Sequence, residues 1–402
     1  MTEERTKSEI GEWIVSATLA GTHEVAILAG IGERLNAAGI SLVRVSVATD
    51  LLDPTFDGRG VRWLRDQGGL EETFERDAEG TIVSENFPQS PFGFLLRSGQ
   101  PMLRRRLDAT YRRGEFEMLD RFQDQGATDY VAYSVRVGET IRMGVGEGIT
   151  ASWTTDAQNG FPHTQVELLA GIMPALTLAF MLRTTHRDAR TLLTTYLGQH
   201  AADRVLAGNI VRGRAEAIRA VVWFSDLVGF TRISDTVSPD KVLELLNDYA
   251  QAQVEEIEAH GGHVLKFIGD GILAIFPDDD TAQACHRALD AAAGMRQRIA
   301  ALNERRATAG LPVTDTHLAL HVGELLYGNL GGTRRLDFTV LGSAVNEAAR
   351  IEALCASLDQ TVIVSWAFAE AAGDGRRRLV SLGRYAMKGI ARPQELFTLD
   401  PG

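Results

Sequence analysis

Five consecutive apolar residues, Ala220-Val221-Val222-Trp223-Phe224, run directly into Ser225-Asp226 and a turn at Gly229. An unbroken apolar run this short suits a central strand covered on both faces, because side chains alternate sides and each side must meet a buried layer. Forty residues on, Leu265-Lys266-Phe267-Ile268 leads through Gly269-Asp270-Gly271 into another apolar stretch, which reads as two strands joined by a tight turn. Between these features Ser238-Pro239 supplies an N-cap and a proline at the first helical position, and Gly261-Gly262 supplies a stop. Val242, Leu245, Leu246, Tyr249 and Ile257 form the inward face of that helix.

The remaining pattern predicts a helix ending near Gly310, strands over 317–326 and 337–341, a helix from about 343 to 354, and three short closing strands. Strand, helix, hairpin, helix, strand is the ferredoxin-like βαββαβ arrangement, expected here with one helical layer. At 402 residues the chain suits two domains and a connector. The sequence places a mixed α/β domain over 1–185, a helical linker over 186–216 and the βαββαβ domain over 217–402, an α+β protein overall.

In the first of these, Ile27, Leu28, Ile31 and Leu35 mark a helix that stops at Gly39. Strands are expected over 41–47, 129–135 and 148–153. The basic residues Arg104, Arg105, Arg106, Arg112 and Arg113 alternate with Leu103 and Leu107 and read as a solvated helix face. Trp63, Phe92, Tyr130 and Trp153 could line a pocket, although such aromatics usually build core. Residues 186–216 carry a broken stripe of Leu192, Leu193, Tyr196, Leu197, Val205 and Leu206, compatible with an amphipathic helix packed on its own domain or with a parallel connector between two protomers.

Composition narrows the chemistry. A net charge of -12 opposes non-specific binding of nucleic acid, so an anionic substrate must be held by local groups. The two cysteines, Cys285 and Cys355, lack CxxC spacing and predict reduced thiols rather than a disulfide or zinc site. The apolar run over 168–182 is broken by Gly171, Pro174 and Thr177 and falls short of the roughly 20 residues of a bilayer span, so no membrane insertion is expected. Met1 to Lys7 has mixed charge and no apolar core, so a cytoplasmic location is expected rather than secretion.

Asp226 and Asp270 each stand where a predicted strand ends. Brought side by side, they offer hard oxygen donors for two Mg²⁺ or Mn²⁺ ions. The turn after Asp226 lets the amides of Gly229, Phe230 and Thr231, with the Thr231 hydroxyl, face a polyphosphate. Asn346 and Arg350 lie four apart on one helical face, and Lys266, Thr339 and Lys388 fall on the hairpin strand, the strand before that helix and a late loop.

Taken in order, Phe224-Ser225-Asp226-Leu227-Val228-Gly229-Phe230-Thr231, Lys266-Phe267-Ile268-Gly269-Asp270-Gly271, Asp337-Phe338-Thr339-Val340-Leu341-Gly342 and Val345-Asn346-Glu347-Ala348-Ala349-Arg350 resemble the motifs of class III nucleotidyl cyclases, the adenylate and guanylate cyclases. The resemblance covers 217–402. It implies that Asp226, Asp270 and the backbone carbonyl of Leu227 bind two metal ions, and that Asn346 and Arg350 stabilise the transition state. It also implies that Lys266 and Thr339 read the base, and that Arg334 and Lys388 join Gly229, Phe230 and Thr231 on the phosphates. In this family metal and base ligands of one site come from different chains, which implies a homodimer with two shared sites. The first domain, with strands between an opening and a closing helix, resembles a GAF-like sensor, whose signal would be an unidentified small molecule or protein.

Base choice follows from hydrogen-bonding capacity. Lys266 only donates and suits the N1 acceptor of adenine, while the Thr339 hydroxyl can accept from the 6-amino group. Guanine would set its N1–H donor against Lys266. The sequence therefore predicts ATP as substrate and cyclic AMP as product, with GTP turnover or a silent nucleotide-binding module as the alternatives. Thr339 departs from the aspartate common at its position in adenylate cyclases, a departure that a subset of bacterial-type cyclases shares.

Overall fold

The computed structural model describes residues 3–53, 56–75, 87–138, 148–277, 279–388 and 392–400. The chain divides into two compact units, Met1–Leu192 and Leu193–Gly402.

The first unit opens with α1 (Glu3–Leu19) and α2 (Glu24–Ala37), followed by β1 (Leu42–Asp50), β2 (Phe56–Leu64) and β3 (Gly68–Glu75). Then come α3 (Pro91–Ser98), β4 (Met102–Arg106), α4 (Glu117–Asp124), β5 (Asp129–Arg136), β6 (Gly148–Thr155) and the long α5 (His163–Leu197), which runs on into the second unit. Its described residues form a six-stranded antiparallel sheet ordered β3-β2-β1-β6-β5-β4. Alternation along the strands separates two cores. Val45, Val47, Val61, Trp63, Ala151 and Trp153 face one way and pack with the apolar faces of α1, α2 and α5. Tyr130 and Ala132 face the other way and pack with Leu95, Phe116 and Leu119 of the α3 and α4 regions, with Phe92 against them. Trp63, Trp153 and Tyr130 are therefore core residues.

Two readings of this unit need correction. The arginine cluster is not a helix face: Arg104, Arg105 and Arg106 lie in β4, and their charges are met by tertiary contacts. Arg104 reaches Asp129 at 2.7 Å, Arg105 reaches Glu115 at 2.5 Å, and Arg113 in the following loop reaches Asp124 at 2.6 Å. The helix expected to begin near residue 186 is the continuation of α5. That helix contains a window of mean hydropathy 1.7, long and apolar enough to cross a bilayer, and 56% of the window is buried within the protein, as in a core helix.

The second unit begins with α6 (Gln199–Leu206) and β7 (Ala215–Leu227), so the helical connector ends at Leu206 and its last residues already belong to a strand. α7 (Phe230–Thr236), α8 (Pro239–Ala259), β8 (His263–Ile268), β9 (Gly271–Pro277), α9 (Thr281–Thr308) and β10 (Thr316–Gly331) follow. The chain then runs through β11 (Leu336–Leu341), α10 (Ser343–Glu352), α11 (Cys355–Leu358), β12 (Val362–Ser365), α12 (Trp366–Ala371), β13 (Leu379–Tyr385) and β14 (Gln394–Leu399). Strand order is β13-β14-β12-β10-β7-β9-β8, with β11 paired to β10. The predicted strand, helix, hairpin, helix, strand sequence is thus present as β7, α8, β8–β9, α9 and β10. Its β10-β7-β9-β8 order puts β7 in the centre.

The apolar run earns its central place by filling both faces. Val221 and Trp223 pack with α8 and α9, while Ala220 and Val222 pack on the opposite face with Ala344 and Ala348 of α10. The expected single helical layer is therefore incomplete, because α10 covers the second face. Leu289 of α9 is 0% exposed in the first of these cores. Leu289→Ala should destabilise the unit by about 2–5 kcal/mol through lost burial and an unfilled cavity, read as a lowered urea midpoint; an unchanged midpoint would contradict this packing.

Candidate active site

β7 delivers Asp226 to the edge of its buried run. Ser225, 0% exposed, anchors that end by donating to Gln253 Oε1 of α8 at 2.7 Å and accepting from Trp223 Nε1 at 3.2 Å. The β8–β9 turn brings Asp270 back to this point, where its Oδ2 accepts from the Leu227 amide at 3.2 Å. The approach is close enough to require glycine: a Cβ on Gly271 would fall 2.5 Å from the Ser225 carbonyl oxygen and 3.2 Å from Asp226 Oδ1. Beyond Leu227, Gly229 adopts φ 65° and turns the chain into α7, whose first backbone bonds run from Arg232 and Ile233 to the Gly229 carbonyl. The amides of Gly229, Phe230 and Thr231 precede those bonds and remain available at the turn.

The electrostatics of this corner are those of an unbalanced acid pair. Burial pushes the Asp226 carboxyl up to about 7, and the adjacent Asp270 charge, a hydrogen bond between the two acids and the charge of Glu352 act in the same direction. Glu352, at the end of α10, is itself raised by burial and by Asp270. Carboxylates packed this closely resist joint ionisation unless a cation lies between them. A divalent metal fits this pair, since the donors are hard oxygens suited to Mg²⁺ or Mn²⁺. Among the described residues no cluster of three or more His, Cys, Asp or Glu side chains forms a metal site, so much of any coordination shell would fall to phosphate and water.

β8 and β11 approach one another on the Lys266 side of the sheet. The Lys266 ammonium donates to Asp337 Oδ2, an acceptor that sequence reading missed. Thr339 is 4% exposed and sits opposite Gly328 of β10. Asn346 and Arg350 are exposed on the outer face of α10, opposite the buried Ala344, Ala348 and Ile351. Arg334 is exposed in the β10–β11 hairpin and Lys388 is exposed after β13, while Gly389 lies outside the described residues. Lys266 lies within β8, whereas Asp270 lies in the β8–β9 turn beyond Ile268, against the end of β7. His321 belongs to the packing: its Nδ1 lies 2.9 Å from Ser365 Oγ, and it is 5% exposed.

Residues 214–400 match the family described as the adenylate and guanylate cyclase catalytic domain. This stretch is a nucleotidyl cyclase catalytic domain of class III. The chain is 35% identical over 161 residues to an adenylate cyclase of Anabaena cylindrica, covering 39% of this chain and 31% of that protein. It is 31% identical over 184 residues to adenylate cyclase 1 of Rhizobium meliloti strain 1021, covering 45% of this chain and 28% of that protein. The chain thus spans less than a third of the length of these two curated relatives. Among solved structures, a bacterial light-regulated adenylyl cyclase aligns with a TM-score of 0.49 at 26% identity, covering 57% of this chain and 65% of that one.

Proposed function

We propose that the protein converts ATP to 3′,5′-cyclic AMP and pyrophosphate in a homodimer whose two sites are each built from both chains. The observation that carries the reading is the closure of Asp270 onto the end of β7, which packs two carboxylates together inside a cyclase catalytic domain. Asp226, Asp270 and the Leu227 carbonyl would hold two Mg²⁺ or Mn²⁺ ions, which when bound lower the pKa of the ribose 3′-hydroxyl and neutralise phosphate charge. The 3′-oxygen attacks the α-phosphorus in line, a new O3′–P bond forms, the bond to the β-phosphate oxygen breaks, and pyrophosphate leaves. Asn346 and Arg350 stabilise charge at the reacting phosphorus, with Arg350 presenting a planar pair of donors. The amides at Gly229, Phe230 and Thr231, with Arg334 and Lys388, hold the leaving polyphosphate, and Lys266 with Thr339 orients adenine.

The dimer has support in the surface beside Lys266. Phe267 and Ile268 on β8, Leu326 and Leu330 on β10, and Leu336 and Leu341 on β11 are 38–59% exposed, an apolar surface that a partner chain would cover. The first unit fits a GAF-like sensor, given its antiparallel sheet with the opening helices and α5 packed on one face, and α5 runs on in sequence toward the catalytic unit. Buried reduced Cys285 and Cys355 suit a cytoplasmic location. Glycine at both Thr191 and Leu192 would weaken α5 by about 1 kcal/mol per residue and should change turnover several-fold at unchanged dimer affinity. Equal turnover would remove the regulatory role. The substrate is tested by offering ATP and GTP side by side with Mn²⁺ to the purified chain and measuring both cyclic nucleotides. Cyclic AMP should dominate; a clear preference for GTP would overturn the adenylate reading.

A further inference from the structure

Base discrimination by Thr339 alone is chemically weak, because a hydroxyl both donates and accepts and so satisfies the 6-amino group of adenine or the 6-oxo group of guanine equally. An ionised carboxylate accepts only. The structure puts one at this place: the Lys266 ammonium is paired with Asp337, which stands two residues before Thr339 on β11 and therefore on the same face of that strand. The Asp337 side chain is 54% exposed, open to a ligand, and that of Lys266 is 30% exposed.

The pairing depends on a local irregularity in β8. Val264 lies opposite Ala274, yet Lys266 lies opposite Leu273, so one extra β8 residue, Leu265, has been inserted. Directly opposed residues share a sheet face, and Leu273 faces the cluster that contains Phe338 and Val340 of β11. Without the insertion Lys266 would keep step with Val264, which packs on the opposite core with α8 and α9. The bulge re-aims the lysine to the sheet side against which β11 packs, and there its ammonium reaches Asp337.

We infer that Asp337 is a specificity-determining residue that restrains the Lys266 ammonium toward N1 of adenine and accepts a hydrogen bond from the 6-amino group, while repelling the 6-oxo oxygen of guanine. This inference rests on the adenylate reading above. The test compares the full-length protein with Asp337→Asn, Asp337→Glu and Thr339→Ala, by kcat/KM for ATP and for GTP with Mn²⁺ and by equilibrium binding of fluorescent ATP and GTP analogues. Asp337→Asn, which keeps shape but can present a donor, should lower the ATP-to-GTP ratio about tenfold in both readouts, chiefly through KM. Asp337→Glu should retain most of the preference, and Thr339→Ala should alter the ratio less than Asp337→Asn does. A ratio within twofold of the parent for Asp337→Asn overturns the inference, as does a parent protein that binds both analogues equally. Should the parent bind nucleotide without forming either cyclic product, the cyclase reading fails while the binding ratio still decides the role of Asp337.

Discussion

Replacing Asp226 or Asp270 by alanine is expected to cut cyclic-nucleotide output about 10³-fold, the scale on which single preorganised electrostatic groups act in the transition state. In the proposed site both acids would be needed to hold the cations, so neither could stand in for the other. The structure adds a reason for separating catalysis from folding in this experiment. Asp270 accepts the Leu227 amide, and its removal leaves a partly buried donor without that partner, with a stability cost of about 1–3 kcal/mol. Asp226→Asn keeps volume and relieves the acid pair, so its fold should be at least as stable as the parent while its activity is lost. A folded Asp226→Asn protein that still cyclises ATP at the parental rate would remove the metal assignment. Thermal melting alongside the activity assay provides the control.

Mixing Asp226→Ala chains with Asn346→Ala chains is expected to restore activity that neither has alone. If each site takes its metal ligands from one chain and Asn346 from the other, a heterodimer contains one doubly defective site and one intact site. Random exchange makes half of the dimers mixed, so the mixture should reach about a quarter of parental activity per chain. Mixing Asp226→Ala with Asp270→Ala should restore nothing, since every heterodimer site then draws both metal ligands from one defective chain. A mixture of the first pair that stays inactive, with exchange verified by differently tagged subunits, would mean that each site is contained in a single chain.

Much of the catalytic unit was legible because its signals are strong and local. An unbroken apolar run, a serine–proline helix start and a Gly-Asp-Gly turn each restrict the backbone without help from distant residues, and the order of β7, α8, β8, β9, α9 and β10 follows from them. What was hidden depended on tertiary partners. α7 spans only seven residues with one apolar pair, Phe230 and Ile233, too short a signal to separate a helix from a turn. β4 resembled a helix because Leu103 and Leu107 are four apart, while the carboxylates that neutralise its arginines, Asp129 and Glu115, arrive from elsewhere in the chain. Asp337 falls within a legible motif, but its pairing with Lys266 was hidden, since their meeting needs a one-residue insertion in β8 that leaves no mark in composition or period. Glu352 escaped for a similar reason: only the packing of α10 on β7 and β10 brings its charge toward Asp270.

The β10–β11 hairpin leaves Leu326, Leu330, Leu336 and Leu341 uncovered in a single chain, and in the proposed shared-site dimer this would make abundance itself an input to signalling. If catalysis requires that surface to be shared, a cell that doubles the amount of this protein near its association threshold would more than double second-messenger synthesis, and dilution during growth would silence it before any sensed ligand is withdrawn.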